Sequence, residues 1–345
     1  MGALMENYDL HQAALLGRLS ELPPEALTIE RFLQPNASGT TTLHLIARRG
    51  GFEFLPEGIF SAKNLTFANA SGYTPLHHAA EGGNLDKLSP EFLTADLLSA
   101  RSNSGFTVFH VAAAHGHLDQ IPAALVTNDV ITRKNDLGNT PLHDAAEHGT
   151  LHLIDKRFLT RENLLLRNLA GETVLHVAAL NGHLAQVPSA FLTADLLLET
   201  TGAGDTVFHA AAISAHLDQI PAELLTEKNL TPKSHTGFTA IHAAAESGQL
   251  RRIPTQALTR ELLLVRNENG DTPLHSAAYE GHLDQVPAAV LTRETLCTKN
   301  YFGVSVGRIA ITRGHASQLP KHLRPENWSL WQKFLVRIGA SGGLF

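Results

Sequence analysis

Apolar and polar positions repeat along the chain in blocks of 33 residues, and each block changes its period part-way through. The first part carries apolar side chains at i, i+3 and i+4, as in Leu142, Ala145 and Ala146, which is one face of an α-helix. Thr140 ahead of it is an N-cap residue, and Pro141 suits a first turn, where no amide donor is needed. The spacing predicts a helix of ~9 residues whose paired alanines let neighbouring helices approach closely. Just upstream, Asn135, Asp136, Leu137 and Gly138 are turn chemistry, with glycine free to take positive φ.

The second part of the block is punctuated by proline, at 23, 56, 122, 188, 221, 254, 287 and 320. A proline inside a helix costs ~3 kcal/mol, so eight would cost about 24 kcal/mol, more than the ~5–15 kcal/mol net stability of a typical domain. The prolines must therefore open a helix. Five residues later stands a second N-cap, Thr28, Ser61, Thr94, Thr127, Thr160, Thr193, Thr226, Thr259 or Thr292. Each block reads as a first helix, a short Pro-opened helical turn, and a Thr-capped short helix such as 161–165. One longer helix from the proline through the leucines is the alternative.

Histidine marks the period. His11, His44, His77, His110, His143, His176, His209, His242 and His275 recur every 33 residues, and Arg308 takes the tenth place. Glycines from Gly39 to Gly303 keep the same interval, each five residues ahead of its histidine or of Arg308. The unit G-x-T-[PV]-[LF]-H-x-A-A-x-x-G-H-L resembles the ankyrin repeat, a 33-residue unit carrying T-P-L-H-x-A. The resemblance covers roughly residues 6 to 335 and implies an all-α, ankyrin-type repeat solenoid of about ten units. Its organisation is expected to be an N-terminal capping repeat at 1–38, eight central repeats over 39–302, and a degenerate C-terminal repeat with a capping helix at 303–345. That last helix would carry Trp328, Trp331, Leu335 and Ile338 at helical spacing. The proline-opened second half departs from the family and marks an atypical subtype.

Composition narrows the function. With 33 acidic and 27 basic residues the net charge is -6, which provides no broad electrostatic footprint for nucleic acid. Cys297 is the lone cysteine, so no intrachain disulfide can form and a cytoplasmic setting is expected. Secretion into a host cell without a recognisable N-terminal signal is the other setting considered. No stretch approaches the ~20 apolar residues that span a bilayer, and Glu6 stands where a myristoylation site needs Ser or Thr. No membrane partner is expected, and the chain is expected to be a monomer.

Twenty histidines invite a metal or catalytic reading, but fourteen are tied to the repeat. Nine occupy the T-P-L-H column, and His117, His183, His216, His282 and His315 follow the first helix. A residue needed once per repeat serves the fold, and the resemblance implies that the first histidine bonds its Thr and neighbouring backbone. P-loop and H-E-x-x-H motifs are absent from the sequence. Neither catalytic residue, metal ligand set nor cofactor is assigned.

In ankyrin arrays the turn tips and the exposed side of the first helix line a concave binding surface. On that implication ten carboxylates fall on the face here, including Glu81, Asp136, Asp144, Glu147, Glu172, Asp205, Glu246, Asp271 and Glu280, against three basic residues, Arg48, Arg49 and Arg313. Tyr73, Phe106, Phe238 and Tyr279 are interspersed, and aromatic anchors among polar residues characterise protein interfaces. The expectation is a non-enzymatic scaffold that binds a protein or peptide, possibly basic, on an acidic, aromatic-dotted face. The alternatives are a merely solvated face, or a targeting or substrate-presenting module of a secreted effector or of an enzyme system whose chemistry lies on a partner.

Overall fold

A computed structural model of the chain describes residues 9–325. Their regular structure is helical apart from isolated bridges such as Thr200 with Thr206, Lys233 with Thr239 and Lys299 with Ser305. The expected helix bearing Trp328, Trp331, Leu335 and Ile338 lies outside the described residues. The chain divides into two compact units, Met1–Leu169 and Ala170–Phe345, both built from the same block.

In the first unit a representative block runs Pro141–His148, then the 3-10 turns Leu151–Leu153 and Lys156–Phe158, then the short helix Arg161–Leu164. The second unit repeats the pattern as Val174–Leu180, Leu184–Gln186, Ser189–Phe191 and Ala194–Leu197. The second half of the block is therefore three short pieces and not one long helix. The turn directly after the long helix was not anticipated from the sequence. The Thr-capped helix is as expected, with Asn163 N–H donating to the Thr160 hydroxyl at 3.3 Å.

Pro188 shows what the proline column does. It is extended, at φ -55° and ψ 133°, and caps Ser189–Phe191, its carbonyl accepting from the Phe191 N–H at 2.9 Å. Its ring thus stands one residue ahead of the helical turn, where no ladder bond is lost. Pro188→Ala is expected to lower stability by no more than about 1 kcal/mol, chiefly through added freedom of the unfolded chain. A urea titration that found alanine stabilising by several kcal/mol would show that proline strains the native turn.

The histidine column ties one block to the next. In the first unit the Nδ1 of His77 accepts from its own Thr74 N–H at 3.2 Å and lies 2.8 Å from the Thr74 hydroxyl. Accepting there fixes the proton on Nε2, which donates to the Phe106 carbonyl of the next block at 3.1 Å. His44 and His110 do the same toward Tyr73 and Asn139, and in the second unit His176, His209, His242 and His275 reach Asp205, Phe238, Asp271 and Val304. Burial pushes His44, His77, His110 and His242 down to about 4, so the rings are neutral, as this bonding requires. The later histidines add a second tie: His117 Nδ1 donates to the Ala80 carbonyl at 2.8 Å.

Turns stack as well. Asn103 N–H donates to the Ser71 carbonyl of the preceding turn at 3.0 Å. Gly72, at φ 78°, stands so close that a Cβ would lie 2.4 Å from the Asn103 nitrogen, which makes glycine obligatory in this column. Between the long helices the alanine pairs, such as Ala79 with Ala80 and Ala211 with Ala212, are fully buried.

Candidate functional site

The carbonyls that receive the histidines belong to the residue just after each turn glycine. The ladder therefore fixes the backbone from which Tyr73, Phe106, Asp205, Phe238 and Asp271 project their side chains. Three of the aromatics lean on histidine rings of their own block. Ring centroids are 5.1 Å apart for Tyr73 and His77, 5.8 Å for Phe106 and His110, and 5.1 Å for Phe238 and His242. Tyr73, Phe106 and Phe238 are half-buried, whereas Tyr279 is 47% exposed.

Each unit holds a cleft on the exposed side of its long helices. In the second unit Phe238, Glu246, Asp271, Ser276, Tyr279 and Glu280 line a cleft of about 230 Å³. Phe238, Glu246 and Glu280 also border an adjoining hollow with Ile213. Glu246 and Glu280 are exposed, and Asp271 accepts from the Asn300 side-chain amide at 2.8 Å. The guanidinium carbon of Arg313 lies 3.5 Å from the centre of the Tyr279 ring.

The first unit's cleft, about 450 Å³, is of different character. Tyr73 and Phe106 line it together with Arg48, His78, Glu81, His115 and His148. Glu81 is ion-paired with Arg48 at 2.7 Å and hydrogen-bonded with His78 Nδ1 at 3.1 Å. The His78 hydrogen bond, reinforced by the Arg48 charge, holds the Glu81 carboxyl below its ordinary range. Asp136 is likewise engaged, by Arg101 at 2.7 Å.

Asp144 corrects the expectation of an exposed acidic residue: it is 2% exposed. Burial, helped by the charge of Glu147, raises its carboxyl to about 8 against the lowering effect of an Asn139 hydrogen bond, so it is mainly protonated at neutral pH. The reason is local. Asp144 packs inward between blocks, as buried Val111 does at the same place one repeat earlier, whereas His78 and Ser276 in that register are half-buried and line the clefts. Glu147, one turn on, is exposed.

The ten carboxylates thus do not form one uniform face. In the first unit Glu81 and Asp136 are neutralised by arginine and Asp144 is buried, while Glu147 stays exposed. The second unit brings Glu246, Asp271 and Glu280 to one cleft; Glu172 and Asp205 are half-buried and do not line it.

A basic column escaped the sequence reading. Arg101, Lys134, Arg167, Lys233, Arg266 and Lys299 share one register of the 33-residue period. Lys134 donates to the Arg167 carbonyl at 2.7 Å and Lys233 to the Arg266 carbonyl at 2.9 Å, so these cations clamp successive blocks. The same count that exposed the histidines would have found them. Among the described residues no group of three or more His, Cys, Asp or Glu side chains is arranged to hold a metal ion, and no helix is long and apolar enough to cross a membrane.

The family model for ankyrin repeats (3 copies) matches residues 109–189 and 208–288. No curated protein matches the chain.

Proposed function

The chain belongs to the ankyrin-repeat family, whose repeats generally mediate protein–protein interaction, and from that premise we propose that it is a non-enzymatic scaffold whose second unit binds a basic protein or peptide segment. The observation that carries the reading is the convergence of Glu246, Asp271 and Glu280 with Phe238 and Tyr279 on one cleft. Carboxylates beside aromatic rings offer a cationic segment both charge complementarity and apolar anchoring. The first unit's cleft, with Arg48 and three histidines against Glu81, does not share this preference.

A fluorescein-labelled peptide of alternating basic and apolar residues tests the reading. Replacing Glu246 and Glu280 together by Lys is expected to weaken binding about tenfold or more, mainly by slowing association, and added salt is expected to weaken binding to the unsubstituted chain. Phe238→Ala is expected to act mainly by hastening dissociation. Binding indifferent to salt and to all three substitutions, yet sensitive to Asp284→Lys on the side of the 3-10 turns, would overturn the assignment.

A further inference from the structure

One basic residue already sits at the acidic cleft. Arg313 is the C-cap of Val306–Thr312 and shares its register with Glu280 one block earlier. Equal register makes Glu280 its natural ion-pair partner. The guanidinium instead lies over the Tyr279 ring, 3.5 Å from its centre, and among the described residues Arg313 makes no ion pair with Glu280 or any other carboxylate. A planar guanidinium stacked on an aromatic face is a favourable arrangement that a compact ammonium reproduces less well. The Tyr279 ring thus holds a guanidinium beside carboxylates that this guanidinium does not use. Arg313 itself is exposed, at the end of a helix, with its side chain anchored by that one ring.

We propose that Tyr279, with Glu246, Asp271 and Glu280 around it, is a pocket for an arginine side chain of the partner, and that Arg313 is a built-in occupant which the partner's arginine displaces. The inference rests on the reading of the second unit's cleft as the binding site and names the chemistry it selects. An incoming arginine can stack on Tyr279 and donate to the carboxylates that line the cleft, which Arg313 from its own position does not do. Arg313 thereby sets a threshold: a partner must offer a guanidinium better placed than the resident one. Lysine lacks the planar face and gains less from the exchange.

The test compares two labelled peptides, identical except for arginine or lysine at the basic positions, on the full chain and its variants. Arg313→Ala is expected to tighten the arginine peptide by about two- to fivefold, the range that corresponds to an exposed cation–π contact. The lysine peptide is expected to gain less. Removing any positive charge would favour both peptides alike, so Arg251→Ala, which deletes a cation paired to Asp284 instead, is the control and should give no arginine-specific gain. In a Tyr279→Leu background the arginine-specific gain from Arg313→Ala should vanish, with thermal melts verifying that each variant folds. If Arg313→Ala leaves the two peptides equally affected, or weakens the arginine peptide, the resident-arginine inference is overturned while the acidic-cleft reading stands. If the arginine peptide is insensitive to replacement of Glu246 and Glu280 by Lys, the cleft reading fails and the inference with it.

Discussion

Acidification from about pH 6.5 to 4 is expected to unfold the array. Burial lowers His44, His77, His110 and His242 from 6.5 to about 4, and lowers His209 and His275 in the same direction. With the folded-state value below the unfolded one, the unfolded chain binds more protons between the two. Stability is then full above about 6.5 and is lost as pH falls toward the folded value. A shift of this size corresponds to roughly 3 kcal/mol per histidine, so the four together amount to on the order of 10 kcal/mol, comparable to the whole net stability of a domain. Protonation of His44, His77 or His110 also forces Nδ1 to stop accepting from its Thr N–H, which breaks the N-terminal cap of the long helix. Urea midpoints measured from pH 7.5 to 4.5 should fall steeply. His110→Gln, which cannot titrate, should start lower at pH 7 and lose less on acidification. A flat profile would mean that the ladder histidines are accessible to protons in the folded chain.

Asp144→Val is expected to stabilise the protein at pH 7 to 8, an unusual sign for replacing a buried residue. Asp144 carries a raised value, about 8 against an ordinary 3.8, and its Oδ2 is buried without a hydrogen-bond partner. For a raised carboxyl the contribution runs opposite to the histidines: stability is present below about 4 and is lost as pH rises through 8. At pH 7 the retained proton costs roughly 4 kcal/mol relative to the ionised unfolded chain. Valine, which the same position carries at Val111, removes that cost but gives up the Asn139 hydrogen bond, so a net gain of about 2 kcal/mol is expected. Its effect should grow from pH 6 to 8 and reverse sign below about pH 5.5. Combined with the histidines, Asp144 places the stability maximum at about pH 7. A variant less stable than the parent at pH 8 would show that the carboxyl has a partner in the folded state.

Two kinds of residue separate what could be read in advance from what could not. The 33-residue interval and the T-P-L-H core define the long helix, its cap and the histidine ladder, because backbone satisfaction is needed once in every block and so leaves a periodic trace. His77 bonds Thr74 and the next block's carbonyl as the resemblance implied. The proline register required each proline to open a helix but left one longer second helix as an alternative, which the short pieces Leu151–Leu153, Lys156–Phe158 and Arg161–Leu164 exclude. The extra 3-10 turn left no such trace, since Leu151–Leu153 uses ordinary residues and forms only because the chain reverses after the long helix.

The site follows the opposite logic. A sequence position can be assigned to a face, and Glu246, Asp271, Tyr279 and Glu280 line one cleft in the structure. Register cannot say whether a carboxylate on that face is exposed, paired or buried, because that depends on which side chain the neighbouring block sets against it. Glu81 meets Arg48, Asp136 meets Arg101, and Asp144 turns inward and keeps its proton. The repeat, the helices and the histidine ladder were determined by the sequence itself, through interactions that recur with the period. The pairing of Glu81 with Arg48 in the first unit's cleft, and the seating of Arg313 on Tyr279 in the second, were decided by tertiary packing, since each depends on one pair of side chains that meets only after the blocks have stacked.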